Sequence, residues 1–449
     1  MELEAIKNMV TKYEGYHASF VNRAEVAKRY YLGDNDIMHR KAKDVEQEPM
    51  RLADNKIAFN FYPLLVDQKA SYLFTDPPLF DVGSLEHNKI IANTLGDSYE
   101  KKIKDLCVEA ANAGVGWLHY WHNEQGFNYA VVPSAQIYPV YTNLLERKLT
   151  GILRTYTDVD DTGSEWVIYE VWNEKECAVY RRRGEIFEAF NRYSIEIAGM
   201  VAPSNVYKHE MGAIPFIPFP NNSTYTSDLT KIKSLIDSYD KTFSGFVDDL
   251  EDVQQIIFVL TNYGGQDLKQ FMQDLKTYKS IQIENLGDGD RSGVSTLNID
   301  IPMEARSKLL ELLRKSIFSM GQGIDPEQQG LDSTSGEALK FLYSLLELKA
   351  GILETEFRVG LGELVRAICR FNNIEAKEIK QIWTRNAIKN NSELADMCSK
   401  SMGIISHMTI LQNHPFVENA DSEMELIKKE QSQEADYNFS DNDTSNDDE

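Results

Sequence analysis

IPMEARSKLLELLRKSIFSMGQGIDPEQQGLDSTSGEALKFLYSLLELKAGILETEFRVGLGELVRAICRF, from Ile301 to Phe371, holds two helical patterns on either side of a polar, glycine-containing insert. The first begins after Pro302 and carries Leu309, Leu310, Leu312, Leu313, Ile317, Phe318 and Met320 at helical spacing; Gly321 and Gly323 then break it. The second follows Asp332, Ser333, Thr334 and Ser335, with Glu337 three residues after Thr334 as in a capping box. Its apolar residues are Ala338, Phe341, Leu342, Leu345, Leu346, Ile352, Leu353, Phe357, Leu361, Leu364, Val365 and Ile368. They read as one broad stripe on a helix of about 50 Å. Such a helix needs neighbours along its whole length. Gly351, Gly360 and Gly362 weaken it and predict a bend. The insert, 324–335, has almost nothing apolar to bury and is held between two rigid supports, as a loop that touches something is held.

Composition narrows the class. The 449 residues suffice for two to four domains, and 42% hydrophobic with 26% charged residues is the balance of a soluble globular protein. Asp plus Glu exceed Lys plus Arg by 70 to 47, a net charge of -23, which argues against a chain that grips nucleic acid by neutralising phosphates. Cys107, Cys177, Cys369 and Cys398 are far apart and form no CxxC pair, so neither zinc nor a disulfide framework is indicated, and a reducing compartment fits. The charged N-terminus lacks a signal-peptide core and no run approaches the ~20 apolar residues of a membrane span, so the expectation is a cytoplasmic product without a membrane anchor.

Along the chain, residues 1–40 read as helix with Gly33 as its C-cap, 62–74 as a helix stopped by Pro77 and Pro78, and 90–112 as a further helix. From Gly114 to Pro220, strand-like runs alternate with turns at NEQG, DDTGS and RRGE. These predict an antiparallel meander with one polar face and one face on the preceding helices, closed by the extended IPFIPFPNN. A second long helical stripe runs from Leu229 to about Asn262. Between it and the 302–320 helix, DLKQFMQDL, SIQIENL, the turn GDGDRSG and VSTLNIDI predict a small α/β excursion at the end of a helical hairpin. Residues 372–430 read as helical. The acidic stretch from Gln431 reads as disordered.

YYLGDNDI (Tyr30–Ile37), NKIAFNFYPLLVDQKASYLFTDPP (Asn55–Pro78) and STSGEALKFLYSLLELKA (Ser333–Ala350) resemble the portal proteins of tailed bacteriophages, of the SPP1-like type found in phages of Gram-positive bacteria. The order of parts resembles that family over most of the chain, the acidic tail excepted. The resemblance implies an α+β portal fold: wing 1–227, stem helix 228–262, clip 263–300, stem helix 301–323, tunnel loop 324–335, long helix 336–371, crown 372–430 and tail 431–449. It further implies a dodecameric ring at a capsid vertex, assembled in the host cytoplasm, through which double-stranded DNA is packaged and ejected. Expected partners are terminase, scaffold, major capsid protein and head-completion proteins, with no membrane, catalytic residue, metal or cofactor. In a ring the loops form a collar. Gln328, Gln329, Ser333 and Thr334 would offer weak uncharged contacts to the duplex, while Asp325, Glu327 and Asp332 repel it. A lining without Lys and Arg lets DNA, with one charge per ~1.7 Å, slide rather than stick. Asp288, Asp290 and Arg291 in the clip turn would face partners.

Other readings are weaker. Asp161-Thr162-Gly163 resembles an aspartic-protease turn but has no second copy, so it reads as a hairpin turn. Asp288, Asp290, Ser292 and Gly293 begin like a calcium loop, yet Ile299 stands where a bidentate Glu is required. His119 and His122 have opposite parity in a strand and do not share a metal. Arg181, Arg182 and Arg183 read as a solvated turn or a subunit contact. A metal-dependent hydrolase would need converging acids and histidines, a spacing not found here, and another minor head protein fits the helix-and-loop order less well.

Overall fold

The computed structural model describes residues 3–42, 53–124, 126–197, 200–253, 257–261, 293–297, 302–327, 336–385, 391–417, 419–420 and 422–430. It is a mixed helix-and-sheet fold, as expected. Helix α1 (Leu3–Tyr31) ends at Gly33, whose φ of 80° permits the Asp34 N–H to reach the Arg29 carbonyl and the Gly33 N–H that of Tyr30. Helices α2 (Phe61–Phe74), α3 (Leu85–Leu95) and α4 (Tyr99–Ala113) follow. The single helix expected over 90–112 is thus two, separated at Gly96, whose φ is 68°.

The expected single meander is two packed sheets and a separate antiparallel pair, β9 (Tyr193–Ile197) with β10 (Met200–Ser204). In the first, β2 (Val115–Asn123) lies between β3 (Gly126–Val132) and β12 (Phe216–Pro220). The extended IPFIPFP segment is therefore an edge strand, the position in a sheet where Pro218 and Pro220 are tolerated. In the second, the antiparallel order is β11 (Val206–Lys208), β7 (Glu176–Arg183), β6 (Glu165–Trp172), β5 (Leu149–Val159), β4 (Ile137–Tyr141), with β8 (Ile186–Ala189) also on β7. Its inner residues Ile152, Ile168 and Val179 pack with Val115, Trp117 and Phe216 of the first sheet. The opposite-parity residues Leu153, Tyr169 and Tyr180 are covered by Ile6 and Val10 of α1. Both faces are thus buried, and the expected polar face does not exist.

The largest core joins this sheet layer to the helices. Helix α7 (Gly336–Phe371) is unbroken through 351–362, so its glycines do not interrupt it. It buries Leu346, Ala350, Leu353, Phe357, Leu361, Leu364 and Ile368 against α2, α4 and Phe219. A Cβ on Gly360 would sit 2.5 Å from the Phe219 ring, so this glycine permits close approach.

A 3-10 turn (Asp228–Lys231) leads into α5 (Lys233–Val253), which lies beside α6 (Met303–Gly321). The helical stripe expected to reach Asn262 ends at Val253; Ile257–Thr261 is strand β13, paired antiparallel with β14 (Gly293–Leu297). Ile257, Phe258 and Val259 are β-branched or aromatic, and that preference overrides the helical reading. Residues 372–385 are not all helical either: β15 (Lys380–Ile382) pairs with β1 (Leu79–Asp81). Two short helices, α8 (Asn391–Lys400) and α9 (His407–Asn413), follow.

Residues 53–60 are extended but pair with no strand among the described residues. Instead they lie along α5, and the N–H groups of Ala53, Asn55, Ile57 and Phe59 donate to Asp252, Asp248, Ser244 and Asp240, at 3.1, 2.6, 3.0 and 3.0 Å. Residues two apart on an extended chain thus meet residues four apart on one helix face.

Candidate functional site at the base of the 324–335 loop

The loop leaves α6 through a left-handed turn at Gln322, φ 56°, where the Gly323 N–H donates to the Phe318 carbonyl. The helix ends at Gly321, as expected, and Gly321 and Gly323 serve a further purpose. A Cβ on either would lie 2.6 or 2.2 Å from the Leu65 side chain, so both let the loop base press onto α2. The Gln68 side chain then brackets Ile324, its Nε2 donating to the Ile324 carbonyl at 2.7 Å and its Oε1 accepting the Ile324 N–H at 2.9 Å.

Asp325 does not present the free repulsive charge expected. Arg314 of α6 forks onto both its oxygens, Nε to Oδ2 at 2.9 Å and Nη2 to Oδ1 at 2.7 Å, and its Nη1 lies 3.1 Å from Glu327. The Arg314 hydrogen bond holds the Asp325 carboxyl below the ordinary carboxylate range. A guanidinium between two carboxylates cancels half of their charge and fixes the loop's first turn. Gln328, Gln329, Asp332, Ser333 and Thr334, and Asp288, Asp290 and Arg291 of the clip turn, lie outside the described residues. Gln68 and Arg314 escaped the sequence reading. Gln68 shows there only as a polar residue in a helix that is otherwise largely apolar.

A second surface completes the site. The broad stripe expected on α7 is two stripes. Besides the buried one, Phe341, Leu345, Leu348, Ile352 and Val359 form a row about 140° away around the helix and about 27 Å long. They are exposed, Phe341 by 79%, Leu348 by 56% and Val359 by 68%. Helix α6 likewise exposes Leu309, Leu312 and Met320 while burying Ile317 and Phe318.

The remaining motifs are structural. Asp160 closes the DDTGS turn by accepting from the Thr162 and Ser164 N–H groups and from Trp166 Nε1. His119 stacks on Trp121 and Phe216, donates Nδ1–H to the Pro215 carbonyl, and is pushed down to about 4 by burial; His122 lies beside Phe371. Arg181–Arg183 are partnered within the chain: Arg181 with Glu188, Arg182 with Glu14 on α1, Arg183 with Ser164. Among the described residues, no group of three or more His, Cys, Asp or Glu is arranged to hold a metal, and no helix is long and apolar enough to cross a membrane.

Residues 11–437 match the family model described as phage portal protein, SPP1 Gp6-like. The portal protein of Clostridium phage phiCD119 is 38% identical over 463 aligned positions, covering 98% of this chain and 99% of its own. That of Bacillus phage SPP1 is 29% identical, covering 91% and 83%. A chain from the neck of an empty gene transfer agent particle aligns over 83% of this chain and 94% of its own at 11% identity, with a TM-score of 0.49. The chain therefore belongs to the SPP1 Gp6-like phage portal proteins, structural rather than enzymatic components of the virion that take part in genome packaging.

Proposed function

We propose that this chain assembles as a ring, a dodecamer by analogy with its family, at one vertex of the capsid. Double-stranded DNA passes through the ring during packaging and ejection. Terminase docks on it during packaging and head-completion proteins afterwards, through the clip at 263–300, while scaffold and major capsid protein hold it in the growing shell in the host cytoplasm. Residues 324–335 form the tunnel loop, α5 and α6 the stem, and 372–430 the crown.

The observation that carries this reading is the second apolar row on α7. A 27 Å row of exposed Phe, Leu, Ile and Val is more than a monomer leaves to water by chance, and a neighbouring subunit is what covers it in a ring. The anchored loop base supports the same reading: Gln68 and Arg314 hold both ends of its first turn, as a loop that must keep its place in a collar requires.

Negative-stain electron microscopy of the purified protein, with native mass spectrometry to count subunits, tests it. Rings of about twelve copies with a central channel are expected. A chain that stays monomeric even with scaffold present would overturn the ring.

A further inference from the structure

Behind the loop base lies a buried group of charges that the loop anchors do not use. Lys69 of α2 and Lys349 of α7, exposed by only 1% and 8%, share one carboxylate, Asp228 in the turn before α5. Lys69 Nζ donates to Asp228 Oδ2 at 2.6 Å and to Asn221 Oδ1 at 2.8 Å. Lys349 Nζ lies 3.0 Å from the same Oδ2 and donates to the Gly321 carbonyl at 2.9 Å. Asn221 Nδ2 donates to Asp228 Oδ1 at 2.8 Å. Burial alone would raise the Asp228 carboxyl; Lys349 and Lys69 outweigh it and hold the carboxyl well below the ordinary range.

The placement of these groups in the chain gives them a consequence. Gly321 is the last residue of α6, so Lys349 places a cation on that helix's C-terminal carbonyl, where the helix dipole favours it. Asp228 stands at the entry to α5. The same ammonium therefore ties the end of one stem helix to the start of the other. Two ammonium groups on one carboxylate leave Lys349 dependent on the Gly321 carbonyl for its second acceptor. If the loop base moves, Lys349 keeps only Asp228, which it shares with Lys69, whereas Lys69 still has Asn221.

We propose that Lys349 and Asp228 are positioning residues that lock the axial register of α5 against α6, so that a displacement of either stem helix arrives at the base of the tunnel loop. This rests on the portal reading for its purpose, but not for its test. It assigns to the buried charges a role in genome passage that the loop's own residues do not supply, namely coupling between the clip end of the stem and the loop.

Hydrogen–deuterium exchange on the full-length chain decides it, comparing wild type with D228N, K349M, the double variant and Q68L. Among the described residues the Asp228 side chain bonds to Lys69, Asn221 and Lys349 and to none of Gln322–Asp325. The expected result is that D228N nevertheless speeds exchange at the Gln322–Asp325 amides at least about tenfold, as K349M does, with no further gain in the double variant. K349M is expected also to speed exchange at Leu229–Ile232, whereas Q68L, which frees Ile324 without touching the buried charges, leaves Leu229–Ile232 unchanged. Wild-type rates at Gln322–Asp325 in D228N would overturn the proposal. Should D228N fail to fold, wild-type rates at Leu229–Ile232 in K349M overturn it equally. Neither rings nor DNA enter this measurement, so unpropagated exchange beside normal rings defeats this inference alone, and absent rings defeat only the portal assembly.

Discussion

Gly360 and Gly351 look alike in the sequence, both inside a long helix, yet their surroundings give them opposite roles. A Cβ on Gly360 would meet the buried Phe219 ring at 2.5 Å, and that ring stands edge-on to Phe357. On Gly351 a Cβ meets nothing within 4 Å. G360A is therefore expected to destabilise by about 1–3 kcal/mol through overpacking, and G351A to stabilise by roughly 0.5–1 kcal/mol through helix propensity, both read from denaturant midpoints. Asp240 gives a residue-scale test against pH. Burial pushes its carboxyl up to about 6 from an ordinary 3.8, against the opposing hydrogen bonds of Asn35 and Phe59. Between those values the folded state holds a proton that the unfolded state has released, so this group's stabilising contribution is complete below the lower value and is lost as pH rises through the upper. The stability of wild type relative to D240N is expected to fall from about pH 4 to pH 6 and to level off above; a difference independent of pH would remove the assignment.

At the scale of elements, the 53–60 segment discriminates between its two edges. The Ile57 N–H donates to Ser244 Oγ, which is fully buried, whereas the Ala58 N–H has no partner among the described residues. Proline deletes one N–H at either position. I57P is expected to cost at least about 1 kcal/mol more than A58P in equilibrium unfolding, because it strands a buried acceptor; equal costs would mean that the ladder adds nothing. The two helices within 301–371 were legible in the sequence because apolar spacing over long stretches is a strong signal. The end of α5 was not. Ile257 continues the helical stripe that Val253 belongs to, and the β-branched and aromatic run that it opens becomes a strand in pairing with Gly293–Leu297.

For the whole molecule, the exposed row on α7 separates folding from assembly. F341D and V359D change residues that touch little in the single chain, so thermal unfolding of the monomer is expected within about 0.5 kcal/mol of wild type, while native mass spectrometry shows rings lost or reduced. Unaltered ring yield in both would assign the subunit contact to another face. The long-range anchors were illegible for a common reason. Gln68 meets Ile324, Lys69 meets Asp228 and Asn55 meets Asp248, each across more than 150 residues. A polar side chain carries no mark of the distant group it will satisfy, whereas an apolar one needs only the core.

The segment gripped by α5 behaves as a vernier. Two residues of extended chain advance about 6.6 Å, and four residues of helix about 6 Å. Each rung from Phe59–Asp240 to Ala53–Asp252 therefore slips by roughly 0.6 Å, and three intervals accumulate about 1.8 Å, more than the spread of hydrogen-bond lengths, which the acceptor side chains must take up. Such a scale reads true over a short span only. The mismatch itself limits how long such a strap can run on a helix before its register must break.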